Sequence, residues 1–286
     1  MAIEYERLLN WKVPSVEQQY SDRDVMLYAL GLGLGLGRED PDQLRFVYED
    51  GLCILPTMAT ILGHPGFWMS DPATGIDWRR VLHGEQALEV HRPLSVSGDV
   101  VGHTRVDSIV DKGPGKGALL YSTRELLDRR TDELLCTLRA TQFMRSEGGF
   151  GGPRGPSQEM PGMPIGAPHA ARDFATTLQT ALIYRLSGDR NPLHADPAVA
   201  RAAGFPRPIL HGLATFGIAG YGVVCQFCSG EPARLRTLRV RFTAPVYPGE
   251  TLRVEMWQSG SHQCQFRCKV IERDVTVLNH GLATFL

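Results

Sequence analysis

The sequence repeats itself: three pairs of matching segments occur in the same order, about 155 residues apart along the 286-residue chain. The matching pairs are residues 25–31 with 181–187, 54–60 with 209–215, and 92–99 with 244–250. Three ordered matches at nearly one offset are not expected by chance, and self-similarity at a fixed spacing indicates a repeated structural unit. The chain is therefore predicted to contain two copies of one fold.

A segment rich in glycine and proline separates the two copies. It begins Ser146-Glu-Gly-Gly-Phe-Gly-Gly-Pro-Arg-Gly-Pro and continues with Pro161, Pro164 and Pro168. This composition is typical of an extended linker rather than a packed element. The predicted division is a first repeat at residues 1–146, a linker at residues 147–170, and a second repeat at residues 171–286.

The second copy gathers a carboxylate, an amide and an imidazole within six residues, at Asp189, Asn191 and His194. Pro192 disfavours helical geometry in the residue before it, so a sharp, ordered loop is predicted. Aspartate is ionised at neutral pH and histidine titrates near it, which suits the pair to holding and deprotonating a water molecule. A plain turn capped by the aspartate is the alternative interpretation of this motif taken alone.

A second segment, Pro208–Gly220, is predicted to be a loop entering an apolar helix. Small residues at positions 212, 214, 217 and 220 allow other backbones to pack closely around that helix. Gly212, in the first turn, offers an unpaired N–H to a developing oxyanion, helped by the helix dipole. The simpler interpretation is that Gly212 only permits close packing.

These two segments, together with Gly204-Phe205 and the run from Phe242 to Thr251, resemble the MaoC-like (R)-specific 2-enoyl-CoA hydratases, or hydratase 2. The resemblance extends along nearly the whole chain. It implies an α+β double hot-dog fold, with two repeats that each wrap a helix in a curved antiparallel β-sheet. It also implies reversible syn hydration of a trans-2-enoyl-CoA to the (3R)-3-hydroxyacyl-CoA. The coenzyme A thioester is then the substrate, and no cofactor is expected.

The resemblance also implies roles for individual residues. Catalysis falls to Asp189, Asn191, His194 and Gly212. Contacts with the substrate fall to His83, Gly84, Lys112, Arg190, Pro192, Leu193 and Phe242. A structural role for His83 and a solvated surface role for Lys112 remain the alternatives.

The first copy lacks the catalytic residues. Gly31-Leu-Gly-Leu-Gly-Leu-Gly-Arg38 stands where the second copy has Ser187 to His194, so only the second copy is expected to catalyse. A phosphate-binding loop is not indicated, because no Lys-Ser/Thr follows the glycines. In two-repeat members of the family, the first half makes room for a long or bulky acyl chain, and the small apolar residues here fit that role.

Composition narrows the classes of function. A hydrophobic content of 43% with 21% charged residues is typical of a globular protein, and a net charge of −1 gives no reason to expect nucleic-acid binding. No apolar run is long enough to span a membrane, and the N-terminal residues do not resemble a secretory signal. We expect a stand-alone cytoplasmic enzyme without a Ser-Lys-Leu type address, and a homodimer is one possible assembly.

Six cysteines raise the alternative of a zinc site, since Cys225 and Cys228 have ligand spacing. However, Cys264 and Cys268 alternate with other residues on one face of a predicted strand, where free cysteine behaves as a small apolar residue. We therefore expect no metal, and no disulfides in a cytoplasmic protein.

Further local patterns predict strands and a cap. Alternation predicts strands at residues 238–243 and 252–256, joined as an antiparallel hairpin by the turn Tyr247-Pro-Gly-Glu, and the first copy repeats this pattern at residues 87–94 and 100–107. Asp196 is predicted to cap the helix that follows it, rather than to act as a third catalyst.

Three alternative functions remain open at this stage. The same chemistry could serve a specialised branched, dicarboxylic or ring-bearing acyl-CoA. An acyl-CoA thioesterase is possible because hot-dog proteins include many of them. A non-catalytic acyl-CoA-binding role is disfavoured by the intact motif at Asp189, Asn191 and His194.

Overall fold

A computed structural model describes residues 3–37, 40–155, 160 and 162–286. Arg38 and residues 156–159 and 161 of the predicted linker lie outside the described residues. The α-helices are α1 (Tyr5–Leu9), α2 (Asp22–Gly31), α3 (Pro41–Leu44), α4 (Thr180–Tyr184), α5 (Pro197–Ala202) and α6 (Gly212–Phe227). Short 3-10 helices lie at Pro56–Thr60, Trp68–Ser70, Pro72–Thr74, Trp78–Arg80, Arg185–Ser187, Pro192–His194 and Pro232–Arg234.

Ten strands form one antiparallel sheet in the order β1-β3-β4-β5-β2-β7-β10-β9-β8-β6. The strands are β1 (Val16–Tyr20), β2 (Val81–Val90), β3 (Gly98–Asp111), β4 (Ala118–Asp128), β5 (Leu134–Met144), β6 (Ala170–Ala175), β7 (Leu235–Phe242), β8 (Thr251–Gly260), β9 (Gln263–Val270) and β10 (Val275–Phe285). Strands β1 to β5 belong to the first repeat and β6 to β10 to the second. The repeats join where β2 pairs with β7, from Glu85 opposite Arg241 to Glu89 opposite Thr237.

Helix α6 forms the centre of the second repeat. Every residue from Ala214 to Val224 is buried, so the helix is apolar on all sides, as expected for a helix enclosed by the protein core. Its glycines let neighbouring elements come close: a Cβ at Gly217 would lie 2.7 Å from the Leu32 side chain, and one at Gly220 would lie 2.7 Å from the Thr57 side chain. The small-residue pattern of the sequence is thus explained by close packing around α6.

The first repeat has no helix of comparable length at the matching position. There the chain forms only the five-residue 3-10 helix Pro56–Thr60. The following sequence, Ile-Leu-Gly-His-Pro-Gly, contains a proline and two glycines, and both glycines adopt positive φ (Gly63 at 55° and Gly66 at 64°). Proline and glycine both disfavour helix interiors, so the local sequence accounts for the early end of the helix.

Two short helices pack against each other where the repeats match. Tyr28 on α2 and Tyr184 at the end of α4 hold equivalent positions, and their ring centroids lie 5.9 Å apart. A Cβ added to Gly31 would lie 2.9 Å from the Tyr184 Cα atom, so only glycine allows this approach. In the glycine-leucine run that follows, Gly33 and Gly35 adopt φ of 87° and 84°, which glycine accommodates without strain.

The strands predicted from alternation are present, but the predicted hairpins are wrong. β7 pairs with β2 and β10, whereas β8 pairs with β6 and β9, so residues 243–250 cross between distant positions of the sheet. The same holds in the first repeat, where β2 and β3 are separated by two strands. Alternation reports which face of a strand is buried and not which strand lies beside it.

The cysteine prediction for β9 is confirmed. Cys264, Phe266, Cys268 and Val270 are all fully buried on one face of the strand. Among the described residues, no helix is both long enough and apolar enough to cross a membrane.

Candidate active site

The loop after α4 is ordered by its own polar side chains. The Asn191 backbone N–H donates to Asp189 Oδ1 (3.2 Å), and the Leu193 N–H donates to Asn191 Oδ1 (3.0 Å). Asn191 thereby caps the 3-10 helix Pro192–His194, which begins with the proline that the sequence places there. Downstream, Asp196 Oδ1 accepts the Ala198 N–H at 2.7 Å, which confirms the predicted cap of α5.

His194 is buried and held in one orientation. Its Nδ1 lies 2.9 Å from the Ile209 carbonyl oxygen. A carbonyl oxygen can only accept, so Nδ1 carries the proton and Nε2 of the neutral ring keeps its lone pair. The Asp189 carboxylate lies nearby: one of its oxygens and a ring nitrogen of His194 are within 4.8 Å of each other. The loop therefore presents a carboxylate and an imidazole together.

A second imidazole, from His211, stacks on His194. The two ring centroids lie 3.7 Å apart with 27° between the planes, and His211 is only 1% exposed. His211 Nε2 donates to the Asp189 backbone oxygen (3.1 Å). The sequence pattern pointed to Gly212 in this segment and His211 was not predicted; the position of His211 beside that glycine, at the entry to α6, was the available signal.

Burial keeps these imidazoles neutral. It lowers the pKa of His194, while the Asp189 carboxylate and the bond to Ile209 act in the opposite sense. It lowers the pKa of His211 well below the ordinary value, and the neighbouring His194 lowers it further. A neutral imidazole at neutral pH is the form that can accept a proton.

The ligand types of Asp189, His194 and His211 would also suit a metal ion. Each ring donates one N–H to a carbonyl oxygen, from His194 Nδ1 and from His211 Nε2. The second nitrogen of each neutral ring keeps a lone pair, which can accept a proton or bind a metal.

Gly212 lies at the junction of the two repeats. It is the first residue of α6, and its N–H has no hydrogen-bond acceptor among the described residues. A Cβ at this position would lie 3.1 Å from the Phe242 ring, at the end of β7. The Phe242 ring in turn contacts His83 on β2, with centroids 4.8 Å apart. The paired strands β2 and β7 thus bring a first-repeat histidine to the second-repeat site.

His83 is oriented by its own strand. Its Nε2 donates to the Glu85 carbonyl oxygen (3.1 Å), and burial lowers its pKa to about 4. Between them, Gly84 sits at an irregularity of the β2–β5 pairing, where a Cβ would lie 3.2 Å from the Thr141 oxygen. These contacts give His83 and Gly84 a structural function, and His83 in addition lies beside Phe242.

The remaining predicted residues lie on the loop itself or, in the case of Lys112, farther along the sheet. Arg190 and Pro192 are exposed on the loop between Asp189 and His194, and Leu193 is half-buried. Lys112 lies in the turn between β3 and β4. It is near the same sheet end as His83 but three strands away, which is about 14 Å across a sheet. The described contacts bring together Asp189, His194, Gly212, Phe242 and His83, but they do not bring Lys112 to this group.

Two repeats sharing one antiparallel sheet, with the core helix of the second repeat enclosed and a site at their junction, define a double hot-dog protein. Two family models match the chain: the one described as "MFE-2 hydratase 2 N-terminal domain" matches residues 18–146, and the one described as "MaoC like domain" matches residues 159–280.

Individual relatives match over nearly the full length. A probable enoyl-CoA hydratase 2 of Dictyostelium discoideum is 38% identical, and the alignment covers 99% of this chain and 97% of that protein. A 3-hydroxyacyl-thioester dehydratase Y of Mycobacterium tuberculosis is 40% identical, with 90% and 88% covered. The crystal structure of a MaoC-like dehydratase from Phytophthora capsici superposes with a TM-score of 0.86 at 32% identity, covering 99% and 98%. The chain belongs to the MaoC-like hydratase 2 family of carbon–oxygen lyases, which confirms the resemblance seen in the sequence.

Proposed function

We propose that the protein catalyses the reversible hydration of a trans-2-enoyl-CoA to the (3R)-3-hydroxyacyl-CoA. One observation carries the proposal: an oxygen of Asp189 and a ring nitrogen of His194 lie within 4.8 Å of each other. A water molecule that makes hydrogen bonds of about 2.8 Å can contact two atoms separated by this distance or less, so one water molecule can bond to both groups. The names of the relatives, hydratase and dehydratase, describe the two directions of this reaction.

In this mechanism, the pair takes a proton from the water as the water oxygen attacks C3 of the enoyl group. Negative charge develops on the thioester oxygen, where the Gly212 N–H stabilises it. The pair then delivers a proton to C2, so that the elements of one water molecule are added. Asn191 holds the loop through its bond to the Leu193 N–H.

The need for a cofactor, the location and the assembly of the protein are proposed as the sequence led us to expect. Water and the thioester supply all the reacting atoms, so the reaction needs no cofactor. We propose a cytoplasmic location, which fluorescence microscopy of a tagged protein would test. We also propose a homodimer, and light scattering would measure the number of chains in the assembly.

The first experiment follows loss of enoyl-thioester absorbance with crotonyl-CoA and a longer trans-2-enoyl-CoA. Asp189→Asn and His194→Gln are expected to lower kcat by roughly 10²–10⁴-fold, the usual contribution of a general acid–base group. Circular dichroism checks that both variants fold. The product should be oxidised by an (R)-specific 3-hydroxyacyl dehydrogenase.

Two results would contradict the proposal. Near-normal hydration by both folded variants would remove Asp189 and His194 from the chemistry. Release of free thiol, without addition of water to the double bond, would indicate a thioesterase instead.

A further inference from the structure

A cationic side chain lies inside the first repeat without a counter-charge. Arg124, on β4, is 7% exposed, and its Nη2 donates to the carbonyl oxygens of Ala59 (3.2 Å) and Thr60 (2.6 Å). These carbonyls end the 3-10 helix that replaces a long core helix in this repeat. Of the carboxylates in the described part of the chain, none pairs with Arg124, and its Nε has no hydrogen-bond partner there.

Such an arrangement is costly in the free protein. Burying an unpaired ion costs several kcal/mol even after relaxation, and two carbonyl dipoles offset only part of it. Burial lowers the pKa of Arg124 to about 10, so the guanidinium still carries its charge at neutral pH. An apolar residue would fill the same space without this cost, which suggests that the charge serves a ligand.

Buried hydroxyl groups lie around the same 3-10 helix. The Tyr28 and Tyr184 hydroxyls and Thr57 Oγ1 are all removed from solvent. The Tyr28 hydroxyl lies within hydrogen-bond reach of Thr57 and Thr60, and the Tyr184 hydroxyl within reach of Thr60. Hydroxyl groups rotate freely about the C–O bond, so these groups can turn to donate to a bound anion. Together with Arg124 we call these residues the polar cluster.

The polar cluster adjoins the catalytic residues. The Tyr184 ring lies 4.8 Å from that of His211, which stacks on His194. Burial raises the pKa of Tyr184 well above its usual value, and the charges of Asp189 and Arg124 act on the same hydroxyl in opposite senses. Tyr184 therefore lies beside the catalytic loop, and its hydroxyl is within electrostatic range of the buried cation.

We propose that Arg124 binds a carboxylate carried by the acyl chain, so that the preferred substrate is an enoyl-CoA with a second, remote carboxylate. This rests on the proposed hydration. With C2 and C3 at Asp189 and His194, an acyl chain that passes Tyr184 would enter the first repeat beside the short 3-10 helix whose carbonyls Arg124 binds. The tyrosine and threonine hydroxyls donate to the carboxylate oxygens that Arg124 does not engage.

The test compares trans-2-enoyl-CoA thioesters that end in a methyl group with thioesters of the same length that end in a carboxylate. At the chain length that reaches Arg124, the wild-type protein should favour the carboxylated substrate by at least about 10-fold in kcat/KM. Arg124→Met should lower kcat/KM for that substrate by roughly 10- to 100-fold, the range for a charged hydrogen bond, and leave the methyl-ended one nearly unchanged.

Two further variants separate binding from folding. Arg124→Lys keeps the charge and should retain part of the preference. Arg139→Met removes an exposed cation that pairs with Glu89 on the same repeat, and should change neither substrate. Equal losses on both substrates in Arg124→Met, or a wild-type preference for the methyl end at every length, would overturn the inference and leave Arg124 as a cap of the 3-10 helix.

A binding measurement distinguishes this inference from the proposed function. Calorimetry with saturated acyl-CoA thioesters, with and without the terminal carboxylate, needs no turnover. Tighter binding of the carboxylated thioester that is lost in Arg124→Met would support the Arg124 site even if neither enoyl substrate were hydrated. Equal binding of both thioesters by the wild-type protein would refute it, whatever the hydratase activity.

Discussion

The stacking of His194 on His211 and the backbone bonds of both rings fix the orientation and tautomer of His194, which belongs to the proposed acid–base pair. Each ring gives one N–H to a backbone carbonyl, so each tautomer is set by the fold and does not depend on substrate. Preorganised groups of this kind need no rearrangement when the reaction begins.

The pH dependence of hydration should report the lowered pKa of His194. The neutral ring is the active form, so kcat/KM should be level at neutral pH and fall as the pH drops through that pKa. Because burial lowers the pKa, the midpoint is expected below the ordinary value of 6.5. Initial rates across a pH series would measure it, with return to neutral pH as the control for denaturation. A midpoint above 6.5 would contradict the assignment.

Substitutions at His211 should separate its two contacts. His211→Phe keeps an aromatic ring against His194 but loses the donor to the Asp189 carbonyl, whereas His211→Gln keeps an amide donor and loses the ring. Displacing a catalytic group by about 1 Å can cost roughly 10²-fold, so we expect kcat losses of about 10- to 100-fold with little change in KM. Steady-state kinetics would measure both constants. Wild-type kcat in both variants would exclude a positioning role.

Residues close in sequence were the predictable part of the site. Asp189, Asn191 and His194 fall within six positions, so the loop alone brings them together. The contact of His83 with Phe242 was not foreseeable from spacing, because it depends on the β2–β7 pairing. Arg124 gave no signal in the sequence, because an arginine on a strand does not show which element its side chain contacts.

At the scale of elements, helices α2 and α4 position the catalytic loop. Gly31→Ala would place a methyl group about 2.9 Å from the Tyr184 Cα atom, so the two helices must separate. Overpacking of this kind costs about 1–3 kcal/mol, and we expect the free energy of unfolding to fall by that amount. Activity should fall as well, because α4 leads into the loop that carries Asp189.

Urea denaturation and hydration rates would measure the two effects of Gly31→Ala. Gly162→Ala is the matched control, because a Cβ there meets nothing within 4 Å and should leave both quantities unchanged. If Gly31→Ala were as stable as the wild type, the close α2–α4 contact would not be required.

The individual strands were predictable, and their arrangement was not. Alternation in residues such as Cys264 and Phe266 shows which face is buried, which is a local property. Pairing depends on the long connection at residues 243–250, and a short turn motif inside it suggested a hairpin that does not form. The short length of the 3-10 helix Pro56–Thr60 has a local signal in the sequence, because glycines and a proline follow Thr60.

For the whole molecule, the buried histidines predict lower stability in mild acid. The folded-state pKa values of His83, His194 and His211 are lowered, so between those values and about 6.5 the unfolded chain binds more protons. The stability that the neutral histidines contribute is complete above about pH 6.5 and is lost as the pH falls. For His83 the loss continues down to its folded-state pKa of about 4. Stability falls further below about pH 3.8, because carboxylates with lowered pKa values, such as Asp173 beside Arg253, are protonated more readily in the unfolded chain.

Urea midpoints at pH values of about 7.5 and 5 would test this, with the lower midpoint expected at the lower pH. His83→Phe removes one of the three groups and should make the pH dependence shallower. An equal midpoint at both pH values would show that these histidines titrate normally in the folded protein.

The β2–β7 seam has a consequence for building new enzymes from this fold. The proposed acid–base residues lie in one copy and the short 3-10 helix in the other, yet five residue pairs, from Glu85–Arg241 to Glu89–Thr237, tie the copies into one sheet. A chimera that exchanged the first copy with that of a relative would replace the proposed acyl-binding region and keep the loop that carries Asp189 and His194. Such a graft should succeed only if it preserves the seam register, because a shift by one residue would turn His83 away from Phe242.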